Sequence, residues 1–283
     1  MDDRINYYLG KNIYNYIKKN DDEFITINDL TETIDVYKYL FIDLLKETNN
    51  DEKKFKFKEG DIEVITDEIT LIKNRCEGNE NGVILRCLEK GRHWDNYYNK
   101  PNDIPFHNKK NAIFWRGTTT GREEYIGNRF ELVKKWFHKN QNIDVGFSFI
   151  CQGKEAYKKY VLGISKEEDF LNYKYILSVR GNDKDSGLQW KLNSNSLVLM
   201  PRPRIVSWLM ESTLIPNVHY IELQDDFSDL EEKLCWCNNN QDKCEEIIKN
   251  ANLFMEQFKD EKKEEELEKA VINKYFSILQ TLH

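Results

Sequence analysis

The chain has 283 residues, enough for one large domain or two compact lobes, and its 40% apolar content can fill a substantial core. A formal net charge of −7 argues against a body built for non-specific nucleic-acid binding, so a site for an anionic ligand must be a local basic patch. No run approaches the ~18 continuous apolar residues of a membrane span, and the start MDDRINYYLG lacks a signal-peptide pattern, which points to reduced thiols and a cytoplasmic setting.

Over residues 3–19, Ile5, Leu9, Ile13 and Tyr16 fall on one face at helical spacing, which predicts a helix. Tyr37, Leu40, Phe41, Leu44 and Leu45 form a second amphipathic stripe, and the polar run 49–54 is a solvated loop. Residues 55–57, 62–65 and 69–72 read as short strands, and the EGNENG run at 77–82 reads as a break. From 83 onward strand and helix patterns alternate. Strands are expected at 83–88, 112–115, 143–149, 175–179, 196–200 and 220–223, with helices near 123–138, 154–162, 186–194, 205–212 and 228–237. That alternation implies an α/β, mostly parallel, doubly wound sheet, whose ligands sit at the carboxyl ends of the strands. Residues 241–283 read as almost wholly helical, and the KDEKKEEELEKA run at 259–270 reads as a solvated helix face. Cys235, Cys237 and Cys244 are close enough to suggest zinc, but they lie in a helical pattern with no evident fourth ligand, so no metal site is assigned.

Three segments could carry chemistry. In the first, a strand ends at Trp115 and runs into Arg116-Gly117-Thr118-Thr119-Thr120-Gly121 before a helix. Backbone N–H groups, threonine hydroxyls and a guanidinium converging there make a diphosphate cradle, although a tight turn whose arginine pairs with a carboxylate fits the same residues. It is not a Walker loop, because no Gly-Lys-Ser/Thr follows. The second segment repeats the pairing as Arg180-Gly181-Asn182 and continues through Asp183-Lys184-Asp185. That Asp-x-Asp triplet is read as loop and helix-cap chemistry, with Asp185 or Ser186 near the N-cap, rather than as a metal site. The third follows the strand from Ser196, where Arg202 and Arg204 face either a phosphate or carboxylates, and leads to Trp208, Glu211 and a structural His219.

These segments, in this order, resemble glycosyltransferase family 90 across roughly residues 69–258. The pieces that carry the resemblance are Ile69 to Arg75, Gly91-Arg-His-Trp94, Phe114-Trp-Arg-Gly-Thr118, Asn128-Arg129, Ile143-Asp-Val-Gly146, Lys174-Tyr175, Gly181-Asn-Asp183, Leu188-Gln-Trp190, Ser194-Asn-Ser196, Trp208, Glu211, Pro216 to Tyr220 and Asp229-Leu230. The resemblance is closest to the short bacterial and viral-type members. It implies a GT-B-like fold of two Rossmann-like lobes with a reduced N-terminal lobe. The lobes are expected as residues 1–110 on the acceptor side and 111–258 on the nucleotide-sugar side, with a C-terminal helix over 259–283 packing back on the first. It further implies a uridine-diphosphate sugar donor, a glycan or glycoconjugate acceptor, inversion at the anomeric carbon and no divalent metal or other cofactor. Donor contacts are then expected from Arg92, Gly117, Thr118, Arg129, Arg180, Gly181, Asn182, Asp183, Asp185, Ser196, Arg202 and Glu211, the last on the ribose hydroxyls. Arg116 is expected on the diphosphate.

Two departures stand out. The eukaryotic protein O-glucosyltransferases carry a serine and an arginine where this chain has Asp185 and Gly187, which leaves that arginine's phosphate contact open, with Arg129, Arg202 and Lys191 as the candidates to substitute. Their N-terminal Asp-Tyr-Pro segment, which supplies the base, has no visible counterpart, and residues 1–68 lie outside the resemblance. An inverting transfer needs a carboxylate to take the acceptor proton and cations to meet the departing diphosphate. Asp61, Asp67 and Asp95 are the candidate bases, with Asp95 preferred because it follows Arg92-His93-Trp94, and Arg116 and Arg180 are the candidate cations. Two other readings fit less of the sequence: a non-catalytic carbohydrate- or nucleotide-binding module on the same fold, and a glycoside hydrolase with paired carboxylates.

Overall fold

A computed structural model describes residues 2–17, 23–30, 36–62, 64–99 and 101–281. In chain order, helices α1 (Asp2–Leu9) and α2 (Val36–Glu47) precede short strands β1 (Lys56–Phe57), β2 (Thr70–Ile72), β3 (Arg75–Cys76) and β4 (Val83–Ile84). Then come α3 (Asp95–Tyr98), β5 (Lys110–Gly117), α4 (Arg129–Trp136), β6 (Ile143–Phe147), α5 (Glu167–Phe170), β7 (Tyr173–Leu177), α6 (Leu188–Leu192) and β8 (Leu197–Pro201). Strands β9 (Ile205–Val206) and β10 (Ile221–Leu223) lead into the closing helices α7 (Leu230–Asn239), α8 (Gln241–Met255) and α9 (Glu261–Thr281). These elements fall into two compact units. One holds the chain through Asp95, Arg204–Ser212 and the chain from Phe258; the other holds Asn96–Pro203 and Thr213–Gln257.

The second unit is built on a five-stranded, all-parallel sheet in the order β10-β8-β7-β5-β6. Its strands are near-continuous apolar runs such as YKYIL and LVLMP, as expected for a sheet covered on both faces. Ile113, Trp115, Val145, Tyr175, Leu177 and Leu199 meet Phe130, Leu132 and Val133 of α4 and Leu230 and Leu234 of α7 in one core. Helix α4 begins later than the apolar pattern of 123–138 suggests. Asn128 is its N-cap, accepting the Glu131 N–H at 2.9 Å, while its amide donates to the carbonyls of Glu123 and Tyr125 and holds residues 123–127 as a turn. The stretch 154–162 forms a 3₁₀ helix over Glu155–Tyr160 in place of an α-helix.

The first unit has a three-stranded parallel sheet, β1-β2-β4, and an antiparallel pair, β3-β9. Here the structure corrects several expectations. The helix expected over 3–19 stops at Leu9, because Gly10 takes a left-handed φ of 77° where a Cβ would sit 2.4 Å from the Glu80 carbonyl oxygen. A 3₁₀ turn follows over Lys11–Asn15, and residues 18–19 lie outside the described residues. Among the described residues of 62–65 no strand forms: Ile62 is buried and tied to the Asn74 side chain, and Val64 and Ile65 are exposed, while Glu63 lies outside the described residues. The strand at 83–88 ends at Ile84 and tightens into a 3₁₀ turn over Arg86–Leu88. The helix expected over 205–212 is absent, since Ile205–Val206 pair with β3 and Met210 adopts a positive φ of 61°. The charged run on α9 is not a wholly solvated face either. Glu264 and Glu268 are buried, Glu264 accepting two bonds from Arg4 and one from the Trp208 indole, and Glu268 accepting the Cys87 N–H. Tyr8 stacks on Trp208 with ring centroids 3.7 Å apart, so α1 and α9 are joined around one indole. Among the described residues no helix is long and apolar enough to cross a membrane.

Candidate active site

In the five-stranded sheet the chain leaves β5 for β6 on one side, then returns past β5 to place β7, β8 and β10 on the other. The carboxyl ends of β5 and β7 therefore form a topological switch point, the place where open α/β sheets take their ligands. Both Arg-Gly segments leave the sheet at this point.

Arg129, the first residue of α4, ties the two loops together. Its Nη1 donates to the Thr118 carbonyl at 2.7 Å and to the Thr120 hydroxyl at 2.8 Å, and its Nε donates to the Arg180 carbonyl at 3.0 Å. Its Nη2 donates to the Val179 carbonyl at 3.2 Å. All four acceptors are neutral, and burial pulls this guanidinium down to about 10, opposed by the nearby acids Asp185 and Asp183 and by Cys151. The loops are interleaved further. The Gly121 N–H donates to Asn182 Oδ1 at 2.8 Å, and Gln152 Nε2 donates to the same oxygen at 3.2 Å. Thr119, fully buried, exchanges bonds with the backbone of Cys151. Gly181 has no room for a side chain, because a Cβ there would lie 2.8 Å from Thr120 Oγ1 and 2.9 Å from Arg129 Nη2.

Arg116, the penultimate residue of β5, is held by the neighbouring strand. Its Nη2 donates to Asp144 Oδ1 at 2.6 Å, and its Nη1 donates to the carbonyls of Trp115 and Asp144 at 2.8 and 3.1 Å. The guanidinium lies 4.6 Å from the Phe114 ring centroid. The carboxylate partner that the sequence allows for Arg116 is thus supplied by β6. Arg180 lies over Tyr125 at 4.1 Å and donates to the Asn182 carbonyl at 3.3 Å.

The two aspartates of the Asp-x-Asp triplet point into the protein. Asp185 accepts the Gly187 N–H at 3.0 Å and an ion pair from Lys191, whose ammonium also caps the Leu177 carbonyl at the end of β7. Burial raises the Asp185 carboxyl, but Lys191, the Gly187 N–H and the Ser178 hydroxyl outweigh it and hold the group below the usual carboxylate range. Asp183 is buried. Among the described residues, no group of three or more His, Cys, Asp and Glu side chains is gathered as a metal site. The cysteines at 235, 237 and 244 follow suit: all six thiols of the chain are free, with Cys237 and Cys244 buried and Cys235 exposed.

This chain matches the profile described as glycosyl transferase family 90 over residues 92–281. It belongs to glycosyltransferase family 90. It is 36% identical to an O-glucosyltransferase, LpsA, of Dichelobacter nodosus over 81% of this chain and 69% of that protein. Protein O-glucosyltransferase 2 of Danio rerio is 30% identical over 52% of this chain, and the match spans only 28% of the fish enzyme. An uncharacterized protein, 179R, of Invertebrate iridescent virus 6 is 31% identical over 32% of this chain and 8% of its own length. Membership of the family makes the chain a glycosyltransferase.

The family match begins at Arg92, so in this family 90 member it covers Asp95, Arg116 and every expected donor contact, but not Asp61 or Asp67. The structure gathers Arg116, Gly117, Thr118, Arg129, Arg180, Gly181, Asn182, Asp183 and Asp185 at or beside the β5–β7 switch point. Arg202 is exposed, one residue beyond the carboxyl end of β8. Ser196 precedes β8 at the opposite, amino edge of the parallel sheet and donates to the Tyr173 carbonyl at the start of β7, away from this cluster.

Arg92, Asp95 and Glu211 belong to the other unit. Arg92 and Asp95 are exposed, at the end of a wide π-type turn over Lys90–Trp94 and the start of α3. The Glu211 carboxylate is buried and accepts the Ser207 N–H and hydroxyl at 2.6 and 2.8 Å. Of the other candidate bases, Asp61 pairs with Lys73 at 2.6 Å, and Asp67 pairs with Lys56 at 2.6 Å and accepts from the Thr70 hydroxyl. Sequence reasoning missed Glu89, which is buried and meets His93 Nδ1 at 3.1 Å and Trp94 Nε1 at 2.9 Å, bracing the turn that carries Arg92. Asp144 enters the sequence reading only inside the piece Ile143-Asp-Val-Gly146, with no role of its own, although it is the one charged residue in the apolar strand IDVGF.

Proposed function

We propose that this family 90 member transfers a glucose- or xylose-like sugar from a uridine-diphosphate sugar to a hydroxyl of a glycan or glycoconjugate, with inversion, without a metal ion, and in the cytoplasm. The reading takes residues 111–258 as the donor lobe and 1–110 as the acceptor lobe of a GT-B-like enzyme. The observation that carries it is the carboxyl edge of β5 and β7, where Arg116 on β5, Arg129 on α4, Arg180 and Lys191 on α6 place positive charge around two interlocked glycine loops. Such positively charged loops at strand ends suit a diphosphate.

As the bond between the anomeric carbon and the diphosphate lengthens, negative charge grows on the leaving oxygen. Arg116 and Arg180 are the groups proposed to meet it, with N–H donors of the Thr118 and Gly181 loops and Arg202 completing the donor site. In this reading Arg129 contributes its positive charge and the shape of both loops. Asp95 takes the acceptor proton. Metal independence is supported by the use already made of Asp185, whose oxygens are taken by Lys191 and Gly187.

The test is thermal unfolding with uridine diphosphate in the presence of a chelator. At ~100 times its dissociation constant the nucleotide adds about 2.7 kcal/mol of stability. A shift abolished by chelator and restored by manganese replaces the metal-free reading with a metal site at Asp183. A shift without any hydrolysis or transfer of the donor sugar replaces catalysis with nucleotide binding alone.

A further inference from the structure

We infer that Asp144 is a positioning residue for donor binding, acting through Arg116; the inference rests on the proposed donor site at the β5–β7 edge. Strands β5 and β6 run parallel with Arg116 opposite Gly146 and Phe114 opposite Asp144, so Arg116 and Asp144 share one face of the sheet, offset along the strands. The side chain opposite Arg116 is missing, and the guanidinium lies back along β6 to reach Asp144.

The contact is specific in its use of donors. Nη1 spends both hydrogens on the carbonyls of Trp115 and Asp144, and Nη2 spends one on Asp144 Oδ1. The guanidinium has five N–H donors. The Nε–H and the second Nη2–H make no bond with the described residues. Those two donors lie on adjacent nitrogens and can grip two oxygens of one phosphate, while the other side of the group is fixed. The plane of the guanidinium is further set by Phe114, at 4.6 Å.

Sheet register does not require this ion pair. Five backbone partners from Ile113↔Ile143 to Gly117↔Phe147 already align β5 with β6. What the pair adds is one orientation for a long side chain that otherwise has several rotamers to lose on binding an anion. The Arg116 side chain is 9% exposed and that of Asp144 is 37% exposed, so the pair is only partly shielded from water.

The experiment is a double-mutant cycle on uridine diphosphate affinity, measured by calorimetry with Asp144→Asn, Arg116→Lys and the double variant. Asp144→Asn keeps the side-chain shape on β6 and is expected to raise the dissociation constant about tenfold, with Arg116→Lys doing the same. The double variant is expected to bind within twofold of Arg116→Lys alone, because Asp144 then has no guanidinium to orient. Asp144→Glu, which keeps the charge, is expected to recover part of the loss and serves where Asp144→Asn does not fold. Asp144→Asn binding within twofold of wild type, or losses that multiply in the double variant, overturn the role of Asp144. A wild-type protein that does not bind uridine diphosphate overturns the proposed donor site, and this inference with it.

Discussion

A Cβ placed on Gly121 would lie 2.6 Å from the carbonyl oxygen of Gly181, so the loop after β5 and the loop after β7 touch backbone to backbone. Gly121 also has φ of 93°, a region that side chains strongly disfavour. Gly121→Ala is therefore expected to cost about 2 kcal/mol or more and to lower the melting temperature by roughly 4–8 °C. Melting curves of the variant check this. An unchanged melting temperature would show that the two loops do not meet as described.

The central strands of the donor unit were legible because they are short apolar runs flanked by glycine and polar residues. The strand ending at Gly117 and the one ending before Ser178 stand within two or three residues of expectation. The alternation of strand and helix points to a parallel sheet, but the strand order, and hence the switch point, comes only from the structure. Less was legible where a residue's local pattern is overruled by a distant partner. Ile205 and Val206 continue a helical spacing toward Trp208, yet they pair with Arg75–Cys76, more than a hundred residues earlier in the chain. Ser196 follows a motif-rich stretch, but a parallel strand presents its two ends at opposite edges, so Ser196 stands at the amino edge and Arg202 at the carboxyl edge. Glu264 and Glu268 look like the rest of their charged run, and only Arg4, Trp208 and Cys87 explain their burial.

That burial makes its own prediction. Glu264 satisfies Arg4 twice, at 2.6 and 2.7 Å, and the Trp208 indole at 2.6 Å. Removing one partner of a buried ion pair leaves the other charge and donor stranded. Glu264→Ala is expected to destabilise the protein by about 3 kcal/mol, whereas Glu266→Ala, at an exposed position of the same helix, changes stability by less than about 0.5 kcal/mol. Chemical denaturation of both variants is the measurement. Equal effects would mean that α9 is solvated at both positions.

His219 gives a pH dependence. Its Nδ1 accepts the Ile215 N–H at 2.9 Å, which requires the neutral ring with its proton on Nε2. Burial lowers the pKa of this imidazole from its ordinary value of 6.5. The folded state thus binds the proton less readily than the unfolded chain. The stabilising contribution is complete above pH 6.5 and is lost as pH falls from there through the lowered folded value. The melting temperature is expected to decline over that window, and His219→Gln should flatten this part of the decline. A variant whose pH profile overlays the wild type removes His219 from the account.

Arg116 is the residue on which the donor site turns. It stands at the carboxyl end of β5, fixed on one side by Trp115, Asp144 and Phe114, with the Nε–H and one Nη2–H uncommitted among the described residues. A lysine at this place keeps a positive charge that can pair with Asp144, so Arg116→Lys should fold with a near-normal melting temperature. The ammonium is a point charge, however, and cannot serve Asp144 and two backbone carbonyls while also gripping two phosphate oxygens. A contact to the diphosphate strengthens as the leaving group gains charge, so its loss falls more heavily on the transition state than on the bound donor. Turnover is expected to drop about 10²-fold or more, the scale of losing one oxyanion-type donor, against about tenfold in nucleotide affinity. Steady-state kinetics on the donor, read beside melting curves, make the distinction. If Arg116 serves only to tie β5 to β6, the variant will be less stable while its folded fraction turns over at close to the wild-type rate, and the diphosphate contact must then be sought at Arg180.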